Sequence, residues 1–296
     1  MDIAIFHAHR RFANVRSGRI AYIEKGNGPV ALFVHGVPLN GYHWRHVIDR
    51  VQHRRRCIAI DLMGLGYTDI GPTQDVSFAA QARMLAEVMD ALGIQMFDLV
   101  GNDSGGAIAQ IFAASYPDRL RSLVLTNCDV HDGWPPPQVL PIVERARNGT
   151  LAAIFRPMVD RPDLARERHV RGESVPLFRS YADPSILAND IIRLYLQPLL
   201  SSEQRIEAFQ RYWLAFNNTQ TIAIHSALKT LRVPTLIVWG LQDIFFERKW
   251  AYWLKDTIPG ARSVVEVPDG RLFFPEDRPA SLAVPMLRFW DEVVKD

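Results

Sequence analysis

The stretch that decides the fold runs from residue 97 to 114: Phe97-Asp98-Leu99-Val100, then Gly101-Asn102-Asp103-Ser104-Gly105-Gly106, then Ala107-Ile108-Ala109-Gln110-Ile111-Phe112-Ala113-Ala114. A strand-like apolar run meets a helix-like run across a turn of small residues with one reactive side chain at its apex. This is the pattern of a nucleophile elbow. Glycines two before and two after the apex let the backbone take a strained turn without Cβ clashes. That register puts Asp103 at the apex and Ser104 one place beyond it.

On either side, short apolar runs alternate with amphipathic ones. Residues 29–34 end at His35-Gly36, and 57–60 end at Asp61; further runs span 120–126, 234–239 and 263–267. Uniformly apolar short strands are buried on both faces, so a mostly parallel sheet flanked by helices is predicted, an α/β fold. A Ser17-Gly18 turn predicts an opening hairpin over 15–23. Residues 78–92 form an amphipathic helix stopped by Gly93, Pro117 ends the helix after the elbow, and a last helix is expected over about 280–294. Between 132 and 231 the alternation breaks. Trp134-Pro135-Pro136-Pro137 marks the exit, Val233-Pro234 the return, and the sequence between is helix-like and rich in Arg. The expectation is a core domain of 1–131 and 232–296. A helical cap domain of 132–231 is inserted over the strands' C-terminal edge, where open α/β sheets bind ligands.

At 296 residues the chain can bury a large core, and 48% hydrophobic with 22% charged residues is ordinary for a globular protein. A net charge of +2 carries no nucleic-acid footprint. The basic run His53-Arg54-Arg55-Arg56 reads as a solvated helix end. Cys57 and Cys128, both in apolar runs, are expected to be buried free thiols. Neither a signal-peptide core nor a membrane span is visible, so a cytoplasmic location without membrane association is expected. No His/Cys/Asp/Glu cluster has metal-ligand spacing, so no metal and no cofactor are expected. The expected partner is a small-molecule substrate, with a homodimer as a candidate assembly.

Three further motifs bear on chemistry. After the first buried run, His35-Gly36-Val37-Pro38 would turn the backbone N–H of Val37 toward that of Ser104, forming an oxyanion hole. Asp61-Leu62-Met63-Gly64-Leu65-Gly66-Tyr67-Thr68-Asp69 offers Gly64-x-Gly66, but Asp69 occupies the third glycine's place. The dinucleotide fingerprint therefore fails, and the segment reads as a structural turn. Trp239-Gly240-Leu241-Gln242-Asp243 places an acid where it could orient a histidine.

With these residues the chain resembles the α/β-hydrolase superfamily, within its haloalkane dehalogenase and epoxide hydrolase branch, over nearly its full length. The resemblance implies Asp103 as nucleophile, Gly36 and Pro38 as the HG-x-P turn, and Asp243 as the acid after the lid. Asp129 is a second candidate acid, ranked behind Asp243. The family carries its histidine in a loop reading roughly Gly-His-Phe-x-x-Glu. Here the loop is Pro268-Asp269-Gly270-Arg271-Leu272-Phe273-Phe274-Pro275-Glu276-Asp277-Arg278-Pro279, and Leu272 stands at the histidine's place. No histidine follows His225. Ser104 replaces the halide-holding tryptophan of dehalogenases, and Gly106-Ala107-Ile108-Ala109 lacks the arginines of fluoroacetate dehalogenases.

His131, at a sheet strand's exit, is a substitute base, with His225 behind it. His43 and His46 are expected at the surface or behind the site. His35, Trp44, His131 and the lid tyrosines Tyr181, Tyr195 and Tyr212 are candidate substrate contacts. A carboxylate of ordinary pKa, about 4, is ionised at neutral pH and attacks an sp³ carbon without a base. The expected reaction is an alkyl ester at Asp103 formed from a small apolar electrophile, with an impaired second step. The alternatives are an isomerase, lyase or cyclase using Asp103 as acid and base, and a ligand-binding pseudo-hydrolase.

Overall fold

The computed structural model describes residues 1–173 and 175–293. Its eight strands are β1 (Arg10–Val15), β2 (Gly18–Lys25), β3 (Val30–Val34), β4 (Arg56–Ile60), β5 (Phe97–Asp103), β6 (Leu120–Cys128), β7 (Thr235–Gly240) and β8 (Ala261–Val267). They form one sheet in the order β1-β2-β4-β3-β5-β6-β7-β8. β1 and β2 form the antiparallel hairpin, β2 pairs antiparallel with β4, and every other pairing is parallel. β3 and β5 are buried at every position, as two-sided coverage requires. β8 lies at the sheet edge and is largely half-exposed, so its first residues carry a weaker apolar signal than the central strands.

The hairpin begins at Arg10, earlier than expected, because exposed Arg11 and half-buried Arg10 hide the strand in the sequence. A short helix, Ile3–His9, precedes it, its first turn capped by Asp2 accepting from the amide of Ile5. The amphipathic helix spans Phe78–Ala91, capped by Ser77 at one end, with Gly93 at φ +68° past the other. The last helix is Pro279–Val293; its expected end, Val294, lies outside the described residues. Between β6 and β7 the described residues form helices and turns but no strand, including Leu140–Arg147, Ala152–Asp160, Asn189–Leu196 and Glu203–Leu214. Among the described residues no helix is long and apolar enough to cross a membrane.

The basic run departs from expectation at two positions. Arg56 opens β4, half-buried and paired with Glu24. His53 and Arg54 are exposed, but Arg55 is buried. Its Nε donates to Asp98 Oδ2 at 2.8 Å, and its guanidinium lies over Trp290. Asp98 is buried inside β5 and also accepts from Arg121 and Ser122, so a counter-charge has to be buried with it. Both cysteines are free and buried.

Candidate active site

Asp103 closes β5 with φ +56° and ψ −134°, a conformation that L-residues rarely adopt and that the surrounding packing has to hold. Two glycines make room for it. A Cβ on Gly105 would stand 2.4 Å from the carbonyl oxygens of Val34 and His35, and one on Gly36 would stand 2.1 Å from Asp103 Oδ2. The elbow thus presses directly against the exit of β3. Val37 N–H donates to Asp103 Oδ2 at 2.8 Å, and the Ser104 amide donates to the same carboxyl. The two amides expected to face a bound oxygen converge on the aspartate itself. Burial nevertheless pushes the Asp103 carboxyl up to about 8, against those two donors and with the charge of Asp243 adding to the rise. Burial therefore works against the full ionisation at neutral pH that an ordinary carboxyl would show.

Asp103 lines a cavity of about 60 Å³, room for only a few water molecules. Phe155, Trp213, Phe216, Phe245, Phe246 and Phe273 wall it, and Asp103 is the one ionisable group among the described lining residues. Leu272 also lines it, buried and apolar. Its loop is pinned from both sides: Asn102 Nδ2 donates to the Leu272 carbonyl at 2.9 Å, and Phe273 N–H donates to the Ser180 carbonyl at 2.9 Å. The indole N–H of Trp213 has no protein partner although the residue is buried. Nothing in the sequence singled out Trp213, because only the fold brings the helix Glu203–Leu214 over the elbow. A larger groove of about 830 Å³ lies elsewhere, between the N-terminal segment and the helices after β6, and contains neither Asp103, Asp243 nor Leu272.

The two candidate acids differ sharply in their partners. Asp243 Oδ2 accepts from Asn127 Nδ2 at 2.8 Å and Oδ1 from the Phe245 amide at 2.8 Å, and the Phe246 amide donates as well. Burial still raises it to about 7. Asp129 is fully buried, and neither of its carboxyl oxygens has a hydrogen-bond partner. Burial pushes its pKa well up, and the charges of Asp103 and Asp243 push it further. No imidazole among the described residues bonds to either acid.

The remaining candidates lie away from the cavity wall. His35 is buried between the Gly36 carbonyl and the Leu62 amide, and burial lowers it to about 3, so it stays neutral. Trp44 packs on Phe33 in the core. His131 sits at φ +46°, bonded to Asp132 and packed against His225 and Trp253. Tyr212 donates to Ser104 Oγ at 2.8 Å. Tyr181 and Tyr195 both donate to Glu276, at 2.6 and 2.8 Å.

Glu276 is a buried hub. Arg45 pairs with it, and His43 Nδ1 lies 3.3 Å away. His43 is fully buried rather than at the surface, because the turn Gly41–Trp44 directs it at this carboxylate. Burial alone would raise the pKa of Glu276; the Arg45 guanidinium and the hydrogen bonds outweigh burial and bring it to about 2. Its folded pKa thus lies below the ordinary 4.5, so its contribution is complete above pH 4.5 and is lost as pH falls toward 2. Glu276→Gln leaves Arg45 buried without a counter-charge and is expected to lose about 3–5 kcal/mol at pH 7, read from the urea midpoint. The parent and variant curves should converge in acid.

Comparison with known proteins bears on the fold family. The profile of the α/β-hydrolase fold family matches residues 29–278. Haloalkane dehalogenase 2 of Mycobacterium bovis is 26% identical over 288 residues, 97% of this chain and 96% of that protein. Epoxide hydrolase 3 of Xenopus tropicalis is 26% identical over 279 residues, 88% of this chain and 71% of that protein. Among solved structures, a haloalkane dehalogenase from Bradyrhizobium elkani superimposes with a TM-score of 0.75 at 22% identity, covering 97% of this chain and 98% of that one. With its sheet order, elbow and matched profile, the chain belongs to the α/β-hydrolase fold family.

Proposed function

We propose that the chain is a hydrolase in which Asp103 attacks an sp³ carbon of a small, apolar electrophile, an epoxide or an alkyl halide. The observation that carries this is the seating of the Asp103 carboxyl. Val37 N–H holds one oxygen at 2.8 Å, the Ser104 amide donates to the same group, and the side chain lines the cavity. Two donors on a carboxyl orient it before reaction and stabilise the oxyanion that forms when its ester is cleaved. Attack needs the ionised form, so the first step is expected to accelerate as pH rises toward 8.

Residues 132–231 act as the cap in this reading, contributing Phe155, Trp213 and Phe216 to the wall. An apolar wall without a cation suits a neutral substrate. Leu272 leaves the second step, water attack on the ester, without the usual imidazole, so an ester at Asp103 is long-lived. The raised pKa of Asp103 supports a second reading, in which the protonated carboxyl serves as acid and base in an isomerisation, elimination or cyclisation.

Intact-mass spectrometry after incubation with 1,2-epoxybutane and with 1-bromobutane tests the first reading. An adduct mapping to Asp103, or diol or alcohol product, supports it. Neither adduct nor product with any member of a wider epoxide and halide panel rejects it in favour of the proton-shuttle or pseudo-hydrolase readings.

A further inference from the structure

Asp129 is the anomaly of the site. A carboxyl with no exposure and no hydrogen-bond partner is strongly disfavoured as an anion and unfavourable even when neutral, since an unsatisfied buried polar group costs about 1–3 kcal/mol. Its backbone is firmly placed. Cys128 is the sheet partner of Asp103 across β5 and β6, so Asp129 follows directly on the residue that faces the elbow apex. Gln110 Nε2 fixes the turn by donating to the Asp129 carbonyl at 2.9 Å and to the Gly106 carbonyl at 3.0 Å. The side chain lies within electrostatic reach of both Asp103 and Asp243. Asp243 is capped by Asn127 and two amides; Asp129 alone keeps its lone pairs free.

We infer that Asp129 is the proton partner of Asp103 and the base for the second half-reaction, in place of the absent imidazole. The inference rests on the ester-forming reading above. Two buried carboxyls close together cannot both ionise readily, so once Asp103 has ionised for attack its charge keeps Asp129 protonated. Esterification removes the Asp103 charge. Asp129 is then free to ionise, and the covalent step itself arms the base.

The protons balance over a cycle. With an epoxide, an Asp103 oxygen bonds to carbon, the C–O bond breaks, and the ring oxygen takes the proton that Asp129 releases. Water then attacks Asp103 Cγ and gives a proton to Asp129, while the Val37 and Ser104 amides hold the oxyanion. The Cγ–O bond to the alcohol breaks, and the alkoxide takes the second proton of that water. Asp103 carboxylate and Asp129 acid are restored, and the net reaction is epoxide plus water to diol. With an alkyl halide the halide leaves without a proton, and Asp129 loses its own to solvent before water attack.

1-Bromobutane is therefore the cleaner probe, since its first step asks nothing of Asp129. The full chain and its Asp129→Asn and Asp129→Ser variants are alkylated at pH 8.5, freed of reagent, and followed by intact mass. In the parent chain the Asp103 ester is expected to decay, faster at higher pH until Asp129 is fully ionised. In either variant the ester still forms, which shows an intact site, but persists about 10²-fold longer or more, without that pH dependence. Asp129→Glu is expected to recover part of the decay. Equal decay in parent and variants, an ester that never decays in the parent, or variants too disrupted to alkylate in both forms would overturn the role of Asp129 while leaving the ester-forming reading standing. Absence of any ester or product in the parent would overturn both.

Discussion

Asp103→Asn is expected to abolish the adduct and to melt higher than the parent chain at pH 7. The first effect follows from chemistry, because an amide is too weak a nucleophile to open an epoxide or displace a halide. The second follows from linkage. In the folded chain burial raises the carboxyl from 3.8 to about 8. Between those values the unfolded chain releases a proton that the folded chain retains. Stability therefore declines as pH rises through that window, and levels off only above pH 8. An asparagine does not titrate, and its amide oxygen can still accept from Val37 and Ser104. The variant should gain a few kcal/mol at pH 7, or several degrees in melting temperature, and nothing at pH 3.5. Thermal melts of both proteins at the two pH values check this. Equal melting temperatures at pH 7 would show that Asp103 ionises at no penalty.

Leu272→His is the second large change. It puts an imidazole on the cavity wall beside Asp103, at the end of a loop already fixed by Asn102 and Ser180. The expected result is ester breakdown faster by about 10²–10⁴, the ordinary contribution of a positioned base. Asp129 is the better partner for that imidazole, since its oxygens are free while those of Asp243 are taken. Losing a buried leucine costs about 2 kcal/mol, a tolerable loss for a large domain. Single-turnover decay of the 1-bromobutane ester measures the effect. An ester as persistent as in the parent would mean that position 272 does not reach the reacting carbon.

The core was legible because its signals are local. Residues 29–34 are apolar at every position and 123–125 at the centre of their run, and only a strand covered on both faces needs that. The elbow was legible because a strained turn needs glycines at fixed offsets from Asp103. The rest depends on residues distant in sequence. Tyr181 and Tyr195 stand as candidate substrate contacts until the fold shows Glu276 between them. His43 was expected at the surface or behind the site, and it is buried where a carboxylate more than two hundred residues away faces it. Trp213 carried no motif. Arg55 was indistinguishable from Arg54 until Asp98 appeared beside it. Nor could composition show that burial would raise the carboxyl of Asp103, an acid of ordinary type.

Glu276 sits at the junction of two parts of the molecule. Arg45 and His43 reach it from the sheet domain, and Tyr181 and Tyr195 from two separate helical stretches after β6. One anion thus binds together side chains from stretches of the chain before β4, after β6 and after β8. The helix that carries Trp213 has ties of its own to the sheet segment, Tyr212 donating to Ser104 Oγ and Arg211 to the carbonyls of Gln74 and Gly71, so the chamber is held from both sides.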